Sequence, residues 1–266
     1  MQITIDDPAD PRLVDYVALH GRRTEHDEYF IVETPVVIRR LLGSRFPLRS
    51  MLLLAEQADR LGDVLPTVDA PVYVVDAAVM NSTAGFNVHR GALASAGRLP
   101  LADLDDVLSR ATRLLILEGS NDHQNLGVIS RSARALGIDA LLLDPTCADP
   151  FYRRSVRVSM GELLHLPVVR CAAWPDSLRR VAAAGFDVWA LTPAADAVDL
   201  HELQRAPLPR KVALLVGAEG PGLTEVAMAA ATHRVRIAMH HGVDSLNVGH
   251  ATAIALAAIA PRLARE

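Results

Sequence analysis

Runs of consecutive apolar residues, each ended by glycine, proline or charge, recur along the second half of the chain and predict buried β-strands. The runs lie at 114–117, 140–143, 168–169, 188–191, 212–216 and 235–238. Helical spacing and helix-ending glycines predict helices at 127–136, 177–184, 224–231 and 246–263, and a longer helical stretch at 151–165. Strands of this kind that alternate with helices are typical of a mostly parallel sheet with both faces covered.

The first hundred residues show a different mixture of short elements. Residues 36–42 have helical spacing, 50–54 and 72–75 read as strands, and 91–96 as a further strand. The alternating pattern begins near residue 110, after a stretch rich in aspartate. We therefore expect an α/β protein of two domains, a smaller one at 1–108 and a larger one at 109–266.

The charge balance limits how the chain could bind nucleic acid. The net charge is −4 and the sequence pI is about 6.2, which excludes a strongly basic surface over the whole protein. The basic residues are almost all arginine, and Lys211 is the single lysine. A local arginine patch remains open, and so does the alternative that these are ordinary solvated side chains. The candidates for such a patch are Arg22, Arg23, Arg39, Arg40, Arg45 and Arg49.

The sequence shows no feature that is typical of a membrane protein or of a protein from an oxidising compartment. Charge, proline or glycine interrupts every apolar run before it could span a bilayer, and the first residues do not resemble a signal peptide. Cys147 and Cys171 stand outside any metal-ligand spacing. These observations favour a cytoplasmic protein with no membrane partner.

Three glycines follow the apolar run at 212–216, in the order Gly217-x-x-Gly220-x-Gly222. No Gly-Lys-Ser/Thr follows, which excludes the Walker A phosphate loop, and the glycine order does not match the dinucleotide fingerprint. Asp244 nevertheless lies where a ribose-binding acid would be expected. The alternatives are therefore a loop that lets backbone approach a ligand, and a plain turn into a helix with Thr224 as its N-cap.

Two further polar segments border predicted helices. Asn125 and Arg131 follow the strand at 114–117 and a polar loop, and Ser245 and Asn247 precede an alanine-rich helix. Each segment could cap its helix or contact a ligand. The alanine-rich helix suits either a core position or a subunit interface. His233, His240, His241 and His250 match no metal-ligand spacing, so we expect no metal.

Three segments together resemble the three motifs of the SpoU (TrmH-type) branch of the SPOUT RNA methyltransferases. They are Asn125–Arg131, Gly217–Leu223 (the glycine loop) and Asp244–His250. The likeness covers residues from about Arg113 onward, and residues 30–33 more loosely resemble the strand that opens a SpoU substrate-binding domain. It implies an α/β sheet with a C-terminal trefoil knot, an L30e-like domain before it, and a homodimer. The implied reaction transfers a methyl group from S-adenosylmethionine to a ribose 2′-hydroxyl of rRNA or tRNA.

The resemblance also implies roles for individual residues. Those expected at the reacting atoms are Asn125, Arg131, Glu219 and Asn247. Those expected to hold the cofactor are Val216, Gly217, Gly222, Ile237, Met239, Ser245 and Leu246. A guanidinium keeps its proton at neutral pH, so Arg131 is better suited to hold a phosphate or stabilise a developing alkoxide than to act as a base. No metal is required.

The sequence thus favours an S-adenosylmethionine-dependent RNA 2′-O-ribose methyltransferase, with rRNA preferred over tRNA because a separate N-terminal domain is common in the rRNA-directed members. The first alternative is a noncatalytic RNA-binding relative. The second is an oxidoreductase with a nucleotide cofactor, which the broken glycine order disfavours.

Overall fold

A computed structural model describes residues 2–19 and 28–261, and the chain divides into two compact units. The first unit is formed by Met1–Pro100 and Asp149–His165, and the second by Leu101–Ala148 and Leu166–Glu266. This division differs from the expected boundary after residue 108. Residues 101–108 belong to the second unit because Leu104, Val107 and Leu108 are buried in its hydrophobic core.

Short strands and helices alternate along both units. The strands are β1 (Gln2–Thr4), β2 (Tyr29–Glu33), β3 (Leu48–Leu54), β4 (Val72–Val75), β5 (Ala92–Gly97), β6 (Arg113–Leu117), β7 (Ala140–Leu143), β8 (Val168–Arg170), β9 (Asp187–Leu191), β10 (Val198–Asp199), β11 (Val212–Val216) and β12 (His233–Arg236). The helices are α1 (Pro35–Leu42), α2 (Ala55–Arg60), α3 (Ala77–Ala84), α4 (Leu104–Arg110), α5 (His123–Ala135), α6 (Arg153–Val158), α7 (Asp176–Ala183), α8 (Leu200–Leu203), α9 (Glu225–Ala229) and α10 (Val248–Ile259).

The first unit is built on a mixed five-stranded sheet in the order β1-β4-β3-β5-β2. Strands β1, β4 and β3 pair in parallel, and β5 runs antiparallel to both β3 and β2. On one side of the sheet Phe30 and Phe46 pack edge to face, with ring centroids 5.2 Å apart. Phe151 stacks on Phe30 at 5.4 Å, so the segment 149–165 is part of this unit's core.

An ion-pair cluster also fixes the segment 149–165 in the first unit. The Glu33 side chain is 7% exposed and accepts a hydrogen bond from Arg153 and another, 2.7 Å long, from Arg157. A buried carboxylate is stable only with such partners, so these two arginines are committed to Glu33. The segment is an excursion of the chain between β7 and β8, both of which lie in the second unit.

The second unit is built on a seven-stranded sheet in the order β10-β12-β9-β11-β6-β7-β8, in which every pair is parallel. Its central strand β11 is buried along its whole length, as a strand covered on both faces must be. The mostly parallel sheet predicted from the apolar runs is confirmed, and the predicted strands 140–143 and 212–216 match residue for residue. Within the described ranges, no helix combines the length and apolarity that a membrane crossing requires.

The helices predicted at 127–136 and 151–165 have other bounds in the structure. Helix α5 starts at His123, not at 127, because the Asp122 carboxylate caps it by accepting from Asn125 N at 2.7 Å. The first turn of α5 is polar, so the spacing of apolar residues does not reveal it. The predicted stretch 151–165 is interrupted after Ser159, where Met160 and Gly161 both have positive φ, and it resumes as a short 3-10 turn.

Three further details correct the sequence-based predictions. Helix α7 begins at Asp176, one residue before the predicted start, and the Ser177 hydroxyl donates to Ala173 O at 3.0 Å. Strand β12 ends at Arg236, two residues before the predicted end. Helix α10 ends at Ile259, not at 263, because Ala260 precedes a proline and is therefore extended.

Lys211 joins three elements at the edge of the second sheet where β11 begins. Its ammonium donates to Leu108 O and Ala184 O, both at 3.1 Å, and lies 4.9 Å from the centre of the Phe186 ring. Leu108 belongs to α4 and Ala184 terminates α7, so one compact cation satisfies carbonyls of two helices. A planar guanidinium would not fit three such partners in the same way.

We expect Lys211→Met to lower the free energy of unfolding of the second unit by about 2 kcal/mol, because two carbonyls lose a charged donor. Trp174 and Trp189 both lie in this unit, so tryptophan fluorescence in a urea titration reports its unfolding selectively. The matched control is Arg205→Met, which removes an exposed cation with no side-chain partner in the described part of the chain. Equal midpoints for the two variants would contradict the assigned role.

Candidate functional site

The polar residues singled out in the sequence lie at one edge of the second sheet. In a parallel sheet the carboxyl ends of all strands point the same way, so the loops that follow them meet at that edge. Strand β6 leads to Asp122 and helix α5, β11 leads into the glycine loop, and β12 leads to residues 237–247. Strands β6 and β11 are neighbours in the sheet, which places their two loops side by side.

Three side chains from these segments form a hydrogen-bonded chain. Asn125 Nδ2 donates to Glu219 Oε2 at 2.7 Å, and Asn247 Nδ2 donates to Asn125 Oδ1 at 3.3 Å. Both bonds together fix the orientation of the Asn125 amide, since its nitrogen must face the carboxylate and its oxygen must face the second amide. The structure therefore brings together three of the four residues expected at the reacting atoms.

The close approach of α10 to α5 places Asn247 beside Asn125. A Cβ on Gly249 would lie 3.1 Å from Val128 Cγ1, a tight contact, so glycine lets the two helices come this near without a shift of Val128. Asn247 is the N-cap of α10, and its Oδ1 accepts from Gly249 N at 2.9 Å. Its amide nitrogen remains free to donate to Asn125. The Asn247 side chain therefore both caps α10 and takes part in the hydrogen-bonded chain.

The glycine loop folds back on itself. Gly222 N donates to Ala218 O at 3.1 Å, and a Cβ on Gly217 would lie only 2.2 Å from the Gly222 carbonyl carbon. The space in front of Gly217 is thus filled by the loop's own backbone. We expected that space to be kept for a ligand, but the glycine is required for loop closure. Gly222 has φ +72° with open space where a Cβ would be.

Arg131 does not join the hydrogen-bonded chain. It lies on α5, six residues after Asn125, and its side chain is exposed. Within the described residues its guanidinium has no hydrogen bond or ion pair. An unpaired guanidinium retains all five donors for a ligand, and the planar fork matches the oxygens of a phosphate.

The seven residues expected to hold a cofactor lie at the end of β11 or in the segments that follow β11 and β12. Val216 is buried at the end of β11, and Ile237 and Met239 are half-buried. Ser245 and Leu246 are exposed, Leu246 to 38%, and the Ser245 hydroxyl has no partner in the described part of the chain. This edge therefore offers backbone groups, a free hydroxyl and exposed apolar surface side by side.

Sequence reasoning missed Glu118, which lies directly behind the site. It follows β6, is 5% exposed, and accepts hydrogen bonds from Trp174 and Thr224. The available signal was a carboxylate placed immediately after a fully buried strand, where an unpartnered charge would be costly. Thr224, by contrast, is the N-cap of α9 as predicted, since its Oγ1 accepts from Ala227 N at 3.2 Å.

Cys147 is close to the site but is not a nucleophile. It is 7% exposed, and its thiol donates to Leu117 O at 3.3 Å. Burial raises the pKa of the thiol to about 12, so the thiolate is scarce at neutral pH. Within residues 2–19 and 28–261, no three His, Cys, Asp or Glu side chains are grouped in a way that could hold a metal ion.

The candidate arginine patch is largely neutralised within the first unit. Arg39 pairs with Asp63 at 2.7 Å, and Arg40 and Arg49 pair in the same way with Glu162 and Asp15, each at 2.9 Å. Arg45 lies over the Phe46 ring at 5.1 Å and has no acidic partner in the described ranges. Arg22 and Arg23 lie outside the described residues.

The fold is that of an α/β protein with a parallel sheet whose carboxyl edge carries a chain of hydrogen-bonded polar side chains. The model of the SpoU rRNA Methylase family matches residues 112–257, which is more than half of the chain. An uncharacterised tRNA/rRNA methyltransferase of Mycobacterium tuberculosis is 43% identical over 254 residues, covering 94% of this chain and 88% of that protein. The chain therefore belongs to the SpoU family of methyltransferases, as its three motifs predicted.

Further relatives agree with this assignment. The 23S rRNA (guanosine-2′-O-)-methyltransferase RlmB of Vibrio vulnificus is 29% identical over 228 residues, covering 82% of this chain and 91% of that protein. A crystal structure of an AdoMet-bound rRNA methyltransferase from Sinorhizobium meliloti superposes with a TM-score of 0.81 and 25% identity, over 97% of both chains. The SpoU methyltransferase AviRb from Streptomyces viridochromogenes gives a TM-score of 0.78 and 25% identity, over 93% of this chain and 95% of that one.

These structures confirm the predicted α/β fold class over nearly the whole chain. The trefoil knot and the L30e-like character of the N-terminal domain stay predictions.

Proposed function

We propose that the protein is an S-adenosylmethionine-dependent RNA 2′-O-ribose methyltransferase with ribosomal RNA as its substrate. The observation that carries the proposal is the hydrogen-bonded chain of Asn125, Glu219 and Asn247 at the carboxyl edge of the sheet. Each of these residues comes from a different SpoU motif, and the RlmB relative is named for guanosine 2′-O-methylation of 23S rRNA.

The residues at this edge fit the cofactor. An adenosyl sulfonium compound needs apolar surface for its base, hydroxyl or backbone groups for its polar ends, and close backbone approach. Exposed Leu246, the free Ser245 hydroxyl and the loop that ends at Gly222 supply these three features. When bound, the cofactor supplies an electrophilic methyl group. Val216, Gly217, Ile237 and Met239 would line the same edge.

The chain's own residues would position the nucleophile. A ribose 2′-hydroxyl is a weak nucleophile, so it must be oriented towards the methyl group and stabilised as its proton leaves. The fixed amide of Asn125 gives the orientation, because Glu219 and Asn247 hold it from both sides. Arg131 would hold the phosphate next to the target ribose and stabilise the developing alkoxide.

A second part of the proposal is a homodimer formed through α5 and α10. These helices pack on each other, yet Val128 on α5 is 37% exposed and Ile254 on α10 is 43% exposed. Helix α10 consists almost entirely of apolar and small residues, so its outer face remains apolar. A second copy of the chain would bury this face with the same residues on both sides.

An RNA substrate would be met in the cytoplasm, and the free thiols of Cys147 and Cys171 support that location.

The direct test is methyl transfer from labelled S-adenosylmethionine to unmodified rRNA and tRNA transcripts. Methylation of a 2′-hydroxyl makes the adjacent linkage resistant to alkali, so incorporation at one alkali-resistant position in rRNA is expected. Incorporation in tRNA alone would overturn the choice of substrate. Absence of both transfer and cofactor binding by calorimetry would leave a noncatalytic RNA-binding relative as the better description.

We expect Arg131→Ala to lower kcat/KM for methyl transfer at least about 100-fold, because charge stabilisation in the transition state is lost. Cofactor affinity by calorimetry should stay within about twofold, since the role lies with the RNA. Arg134→Ala is the matched control: Arg134 is an exposed arginine three residues further along α5 that also has no partner in the described residues. Equal losses in both variants would reduce Arg131 to general surface charge.

For the dimer, we expect Ile254→Glu to convert the protein to monomers in sedimentation velocity, because a carboxylate would have to be buried at the interface. Val36→Glu serves as control, since Val36 is 47% exposed but lies on α1 in the first unit. A monomeric wild-type protein, or a dimer that survives Ile254→Glu, would refute this interface.

A further inference from the structure

Glu118 contacts both ends of the glycine loop. Its backbone N–H donates to Val216 O at 2.9 Å, immediately before the loop, and its carboxylate accepts from Thr224, immediately after it. Glu118 is thus bonded to the residues on both sides of the loop 217–223. We infer that Glu118 is a positioning residue, which holds the glycine loop in the geometry that the cofactor and Glu219 require. This inference rests on the proposed methyl transfer.

Both oxygens of the Glu118 carboxylate accept hydrogen bonds. Oε2 accepts from Thr224 N at 2.8 Å, and Oε1 accepts from Thr224 Oγ1 and from Trp174 Nε1, each at 2.8 Å. The Thr224 hydroxyl donates its only proton to Glu118 Oε1 and also accepts from Ala227 N. If the Thr224 amide turned elsewhere, the buried Oε2 would lose its one donor among the described residues.

The same residue connects the loop to the helix that carries the other motif. Two backbone steps separate Glu118 from Ser120, and Asp122 then caps α5. Gly119 has φ +68°, and a Cβ there would lie 3.3 Å from the Ala218 Cβ. The loop at 118–122, which precedes α5, and the glycine loop are therefore in contact, and Glu118 fixes the distance between them. The 2.7 Å contact between Asn125 and Glu219 depends on that separation.

Trp174 gives the arrangement a third fixed point. Its indole belongs to the loop after β8 and packs against the core of the second unit. By donating to Glu118 Oε1 it prevents the carboxylate from rotating away from Thr224. Three segments that are distant in sequence are therefore joined through one side chain, which lies behind the site and does not itself face it.

The chemistry requires a carboxylate at this position. In Glu118→Gln one oxygen becomes an amide nitrogen, which carries protons and would face a donor from Thr224 or Trp174. At least one of the three hydrogen bonds is then lost and two donors are brought together. The expected consequence is displacement of Thr224, and with it the end of the glycine loop.

The test compares Glu118→Gln with Glu225→Gln in the full-length protein. Glu225 is exposed, begins α9 next to Thr224, and has no side-chain partner in the part of the chain that the structure describes. We expect Glu118→Gln to weaken S-adenosylmethionine binding in calorimetry about tenfold, equivalent to about 1.4 kcal/mol. RNA affinity should be unchanged, and Glu225→Gln should match the wild type.

A milder variant covers the case in which Glu118→Gln does not fold. Trp174→Phe keeps the ring in the core but removes the indole donor, and we expect about a threefold loss of cofactor affinity, on the scale of one weakened hydrogen bond. A variant that is less stable but binds the cofactor with wild-type affinity would show that Glu118 is purely structural and overturn the inference. A wild-type protein that neither binds the cofactor nor transfers methyl would instead overturn the proposed function.

Discussion

The geometry of the site depends on the parallel pairing of β6 with β11 at the centre of the second sheet. These strands are in register from Arg113 and Val212 to Leu117 and Val216, so both end at the same level. Because the strands are buried, their backbone groups have no alternative partners, and a shift in register would leave them unmet. The loops that leave the two strands are consequently forced together, and Asn125 and Glu219 come within hydrogen-bonding distance although 94 residues separate them.

Features that depend on local sequence were predictable. Fully buried strands appear as uninterrupted apolar runs, and for this reason the run at 212–216 was assigned correctly to the residue. The same reasoning failed where the deciding contact is a polar one. The start of α5 is set by a single carboxylate, and its first turn is polar, so the apolar period identified only the later turns. The end of α10 could have been predicted from the proline that follows it.

Contacts between residues distant in sequence were beyond prediction. Charge counting could not show that Arg39, Arg40 and Arg49 are occupied by acidic partners within their own unit. Nor could it show that the excursion at 149–165 is joined to Glu33 in the first unit. The exposed side chain of Arg131 has no such acidic partner in the described residues, and the resemblance to the family, not the composition, singled it out.

Lys211 gives the chain an unusual chemical property. It is the only lysine, and its amine is held by carbonyls of two helices on the opposite edge of the sheet from the site. Two carbonyls and the Phe186 ring hold the amine in place and partly cover its nitrogen from a reagent in solvent. Acylation of the side chain must therefore wait until the helix ends separate. The rate at which an amine-specific reagent modifies Lys211 would consequently measure how often this edge of the sheet opens, as a built-in reporter of local unfolding.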